Sequence, residues 1–184
     1  MDTLRRITVY CASATEVDHR HHDLAEDLGR RIAGAGWEVV YGGGSTGLMG
    51  TLGRAALTAG GRVRGVILDR FLDMGIGLRE VTEMEVVGDL RPRKARMEEL
   101  ADACVALPGG FGTLEELSEV IVRRQVGFHS KPIVIANHLG FFDGLLRFIE
   151  TARAGGFIGA DGDGIFDVAS DAREVMEILE RRLG

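Results

Sequence analysis

The chain has 184 residues, 45% of them hydrophobic, and a formal net charge of -6. That length and composition suit one globular domain spanning 1–184 with a proper core. They exclude a membrane span, since no apolar run is long enough, and the acidic balance argues against a nucleic-acid partner.

The elements follow one another in a regular alternation. Arg5 to Ala12 reads as a strand, too short in its apolar part for a signal peptide. His22 to Ala35 carries Leu24, Ala25, Leu28 and Ile32 at helical spacing. Trp37 to Gly42 predicts a second strand and Ser45 to Ala59 a second helix, stopped by Gly60-Gly61. Val63 to Leu68 is a third strand, Phe71 to Arg79 a loop, and Thr82 to Val87 a fourth strand. A helix from Pro92 to Ala101, with proline in its first turn, precedes a fifth strand from Ala103 to Pro108. The rest reads as helix Thr113–Val126, strand Pro132–Asn137, helix Phe141–Ala154, strand Ile165–Ser170 and helix Asp171–Leu183.

The strands are nearly continuous runs of Val, Ile, Ala and Leu, as in strands buried on both faces. Together with the alternating order, this predicts a Rossmann-like doubly wound parallel sheet with helices on both faces. Cys11 and Cys104 lie in strands and form no CxxC pair, which suits buried thiols in a reducing, cytoplasmic compartment. The tract His19 to His22 lacks the partners of a metal site and reads as polar surface, so no metal is expected.

In such a fold, ligands bind in the loops beyond the carboxyl ends of the strands. Two of those loops are rich in glycine. One is YGGGSTGLMG, with Gly42, Gly43 and Gly44; the other is LPGGFGT, with Gly109, Gly110, Gly112 and Thr113. Each leads into a helix N-terminus, so both read as anion cradles, pointing to a mononucleotide. Only Lys94 and Lys131 are lysines among the 22 basic residues, and there is no P-loop. Arg91, Arg93 and Lys94 stand near a helix start, where the dipole disfavours cations unless they meet an anion. Thr113-x-x-Glu116 fits a capping box, and Glu116 fits equally a carboxylate aimed at a ligand above the sheet.

These motifs have a familiar counterpart. PGGFGTLEE fits the PGGxGTxxE signature of the Lonely-guy (LOG) family of phosphoribohydrolases. VYCAS resembles the family's VYCGSS, YGGGSTGLMG its first glycine loop, VTEMEVV its LTELxVV and RKARM its RKAxM; QVGFHSKPIVIAN and GFFDGLLRFI resemble its C-terminal half. The resemblance implies hydrolysis of the N-glycosidic bond of a nucleoside 5′-monophosphate, either AMP or an N6-modified cytokinin nucleotide, without a cofactor. It implies Arg93 and Glu116 as the essential pair, Glu116 stabilising an oxocarbenium-like state or activating water. It further implies nucleotide contacts from Ser13, Glu83, Lys94 and Met97, phosphate contacts from both glycine loops and Thr113, and a homodimer with the site near its interface. Relatives often carry the label lysine decarboxylase, but nothing here resembles a pyridoxal phosphate site. The alternative is a non-catalytic nucleotide or pterin-cofactor carrier on the same fold. The chain departs from the family at Leu90-Arg91-Pro92, where MHx is usual, at Ala12 and Ala14, and over Phe71–Arg79. These departures bear on base preference.

Overall fold

Every strand pairs in parallel, in the order β4-β3-β2-β1-β5-β6-β7. The strands are β1 (Arg6–Tyr10), β2 (Glu38–Tyr41), β3 (Arg62–Leu68), β4 (Glu83–Val87), β5 (Ala103–Ala106), β6 (Ile133–Ala136) and β7 (Asp167–Ala169). The helices are α1 (His19–Gly34), α2 (Gly47–Thr58), α3 (Asp69–Asp73), α4 (Leu90–Leu100), α5 (Phe111–Gln125), α6 (Asp143–Ala154) and α7 (Ala172–Leu183). The architecture comes from a computed structural model that describes residues 4–159, 162 and 164–184. The expected Rossmann-like class holds. No helix among the described residues is long and apolar enough to cross a membrane.

Alternate strand residues feed two cores. Ile7, Val9, Val39, Val63 and Val105 pack under α1, α2 and α7. Tyr10, Val40, Val66, Cys104 and Ile133 pack under α4 and α5 with Met97, Leu117 and Val120. This two-faced burial is why the strands show apolar runs instead of alternation. The chain order reverses beside β1, whose neighbours are β2 and β5. A crevice opens there at the carboxyl ends of the strands.

Several boundaries differ from the sequence expectation. Asp18 caps α1 through a bond from the Arg20 N–H, so the helix starts three residues before His22. His22 then meets the Thr51 hydroxyl at 2.8 Å and His21 meets His138 at 3.2 Å, so half of the histidine tract packs instead of facing water. Asp89 caps α4, which places Pro92 third in the helix, where its missing N–H is harmless. The expected loop at 71–79 contains the end of α3 and then an extended strap. The strap is fastened to the first glycine loop by Ser45 N–H to the Ile76 carbonyl, Leu78 N–H to the Gly43 carbonyl, and a Gly44–Gly77 bridge.

The opposite end of the sheet holds an ion-pair ladder that apolar patterning hides. Register places Arg6, Glu38 and Arg62 on adjacent strands. Glu38 is fully buried, 2.8 Å from the Arg6 guanidinium and 3.6 Å from that of Arg64, and Arg64 continues the ladder to Glu83 and Glu85. Without Glu38, Arg6 and Arg62 turn to water and Arg64 keeps Glu83 and Glu85, so the loss is that of one buried charge-assisted hydrogen bond. Glu38→Ala is therefore expected to lower unfolding free energy by about 1.5–3 kcal/mol. Denaturant titration checks this, and a loss below about 1 kcal/mol, the scale of a surface pair, would show the ladder to be solvated.

Candidate functional site

A cavity of about 440 Å³ occupies the crevice. Its volume lies in the range of small-molecule sites. The floor is the β1 exit, Cys11 to Ala14, and Gly42 and Gly44 close one side. Gly110, Gly112, Thr113 and Glu116 close the other, and Arg93 rises between them.

Helix α5 begins at Phe111, with Gly110 as its N-cap and no side chain capping it. Thr113 is consequently the third helical residue, and the expected capping box does not form. Glu116 stands one turn further in, free of the backbone N–H groups that a capping glutamate would serve. The uncapped first turn leaves N–H groups and a positive dipole end at the cavity. Gly109 permits the turn: a Cβ there would lie 2.1 Å from the Thr113 hydroxyl oxygen.

Glu116 is 6% exposed and meets Arg93 at 3.1 Å. The same guanidinium donates to the Val66 carbonyl at 2.9 Å and to the Gly42 carbonyl at 3.1 Å. Arg93 thus ties β3, the first glycine loop and α5 to one planar group. Burial pushes the Glu116 carboxyl up to about 7, against the opposing pull of Arg93. A carboxylate poised there can exchange a proton near neutral pH. Cys11 also reaches the cavity, but burial holds its thiol far above the ordinary range, which keeps it protonated and unreactive.

The two glycine loops serve different ends. The second presents an open helix N-terminus. The start of α2 is tied to the β1 exit: the Met49 N–H donates to the Ala12 carbonyl at 3.1 Å and the Thr46 hydroxyl donates to the Ser13 carbonyl at 2.9 Å. The carbonyls of Gly42, Gly43 and Gly44 are spent on Arg93, the Leu78 N–H and the Tyr41 hydroxyl. The carbonyls of the first loop thus hold the protein together, while the second loop presents the open helix N-terminus.

Ser13, Gly42, Gly44, Arg93, Gly110, Gly112, Thr113 and Glu116 all line the cavity. Five other expected contacts do not, and the first of them, Gly109, lines a neighbouring apolar cavity with Leu114 and Phe141. Glu83 begins β4 at the far edge of the sheet, paired with Arg64 at 2.5 Å, so the strand direction carries it away from the ligand end. Met97 lies in the core beneath α4, and its carbonyl accepts from the Thr8 hydroxyl. Gly43, at φ +74°, packs on Ile67 and Met84. Lys94 sits between α4 and α5, held charged by Glu115 and Glu119. It shares with Glu116 a small polar recess behind the main cavity. Lys131 donates to the Glu98 and Glu99 carbonyls. Neither lysine lines the main cavity, so it offers no Schiff-base amine.

Phe71, Ile76 and Leu90 lie in the two stretches where the chain departs from the family, and they form an apolar wall with Ile67 and Met49 that the sequence did not reveal. Their signal was weak: apolar residues inside a stretch that shows no period, brought to the cavity only when the strap docks.

Comparison with known proteins bears on the family and the fold. A family model described as "Possible lysine decarboxylase" matches residues 49–179. The chain is 44% identical over 176 residues to the cytokinin riboside 5′-monophosphate phosphoribohydrolase LOG of Oryza sativa subsp. japonica, covering 96% of this chain and 73% of that one. It is 40% identical to LOG3 of Arabidopsis thaliana, covering 96% and 82%. Among solved structures, the molybdenum cofactor binding protein of Rippkaea orientalis superposes with a TM-score of 0.76 at 18% identity, each chain covered in full. That likeness shows the fold alone. The sequence identity across nearly the whole chain shows more: this protein belongs to the LOG family, whose curated members are named phosphoribohydrolases.

Proposed function

We propose that the protein hydrolyses the N-glycosidic bond of nucleoside 5′-monophosphates, AMP or N6-modified cytokinin riboside monophosphates, releasing the free base and ribose 5-phosphate. The observation that carries this reading is the buried Glu116–Arg93 pair, facing the cavity beside an uncapped helix N-terminus. The α5 N-terminus receives the phosphate, with the Thr113 hydroxyl beside it. The base lies toward the apolar wall of Phe71, Ile76 and Leu90. As the bond to the base lengthens, positive charge grows on the ribose, and the Glu116 carboxylate stabilises it or takes the proton of the attacking water. Arg93 orients that carboxylate. Its three bonds to the protein favour this role over direct capture of the phosphate.

Incubation with AMP and with its N6-isopentenyl analogue, followed by chromatography of the free base, tests the reading. Base release by the wild type and none by Glu116→Ala is expected. Tight binding without base release by either protein would replace it with a carrier.

We further place the protein in the cytoplasm, which suits the two free buried cysteines, and propose that it forms a homodimer through α5 and α6. Helix α6 has no buried residue although it carries Leu145, Leu146, Phe148 and Ile149, and Val122, Val126 and Phe128 stand exposed near it in sequence order. Apolar area on this scale belongs against a partner. Light scattering should give twice the chain mass, and Val122→Arg with Val126→Arg should give a monomer. A wild-type monomer would rule the dimer out.

A further inference from the structure

The three consecutive glycines of the first loop differ in what a side chain would meet there. Gly43 needs its positive φ of 74°. Gly44 would meet only the Met49 side chain, its Cβ 3.0 Å from the sulfur. Gly42 has no such conformational need, since its φ is outside the left-handed region. A Cβ at Gly42 would lie 2.0 Å from Nη2 of Arg93 and 3.3 Å from its Cζ, with the flexible Met49 methyl next at 3.1 Å. That nitrogen is the one that donates to the Gly42 carbonyl at 3.1 Å.

We infer that Gly42 is a positioning residue: its missing side chain makes the seat that aims the Arg93 guanidinium at Glu116. This assignment rests on the hydrolase reading above and gives Gly42 a task other than phosphate binding. A methyl group would force the guanidinium aside. Because that group is the end of a long side chain, the backbone need not move, and the disturbance falls on the bonds to Glu116, Val66 and Gly42 itself. Arg93 can no longer pull the carboxyl down. Glu115, which raises it, and Lys94, which lowers it, remain in place on the neighbouring faces.

A double-mutant cycle over Gly42→Ala and Arg93→Lys tests the contact. Lysine has no Nη2, so it removes the atom that the methyl would strike. Gly42→Ala alone is expected to lower kcat for base release by about 100-fold, the scale of a displaced catalytic group. KM should change little, and the acid limb of the pH profile should move above 7. In the Arg93→Lys background the same change should alter kcat and unfolding midpoint much less. A wild-type kcat and pH limb in Gly42→Ala, or losses that simply multiply, would overturn the assignment. Should Gly42→Ala fail to fold, recovered folding in the double variant supports the contact, and failure of both overturns it. If the wild type releases no base from either nucleotide, the hydrolase reading falls, while the unfolding midpoints still decide the contact.

Discussion

Replacing Glu116 with Gln is expected to lower kcat by about 10²- to 10⁴-fold, the usual contribution of a positioned acid–base group. Glutamine keeps the shape and can still accept from Arg93, so substrate binding and KM should stay close to wild type. The pH profile gives the sharper test. The Glu116 carboxyl is pushed up to about 7, burial being the larger influence and Arg93 the opposing one. The proposed chemistry uses the carboxylate, so kcat/KM of the wild type should rise with pH through about 7 and then level off. Glutamine has no proton to lose in that range, so its residual activity should show no such limb. A limb that survives in Glu116→Gln belongs to another group and removes Glu116 from the chemistry. A limb that falls with pH in the wild type would instead make Glu116 a proton donor to the leaving base.

Replacing Arg93 with Ala should have the largest effect on stability in the site. The side chain is 8% exposed and satisfies two backbone carbonyls and one buried carboxyl. Its loss leaves three acceptors without a donor, and breaking a buried pair of this kind costs about 3–5 kcal/mol. The sign on activity follows from the direction of Arg93's pull. Arg93 lowers the Glu116 pKa, so without it burial acts unopposed by its largest counterweight and the carboxyl rises further. At neutral pH less of the enzyme then holds the carboxylate, and activity should fall further below wild type near pH 7 than near pH 9. Denaturant unfolding and a pH profile together check this. A variant within about 1 kcal/mol of wild type, with its acid limb unmoved, would show the pair to be solvated and independent.

Local pattern fixes the elements of this protein and much of its site. Strand-length apolar runs alternating with helical stretches dictate a parallel sheet, because only strands buried on both faces read that way. Glycine clusters after β2 and β5 mark the loops that reach a ligand. Local pattern also set Thr113 and Glu116 three residues apart, the spacing of a capping box. Tertiary packing decided otherwise: α5 starts two residues earlier, at Phe111, and Glu116 turns to Arg93.

The remainder depends on distances between residues far apart in the chain. Arg93 precedes Glu116 by 23 residues and follows Gly42 by 51, and no local period relates the three. Resemblance to a family supplied Arg93 and Glu116 as a pair. It could not show that Gly42 leaves room for the guanidinium, nor that the first glycine loop spends its carbonyls inside the protein. It also placed Glu83 at the ligand, although strand direction puts Glu83 at the opposite end of the sheet. Sequence alone therefore determined the layers, the loops that carry the site and the chemical types within it. Only the folded structure decided which carboxyl is buried, how its proton is held near neutrality and which glycine makes the room, because burial and close approach are properties of the packed chain.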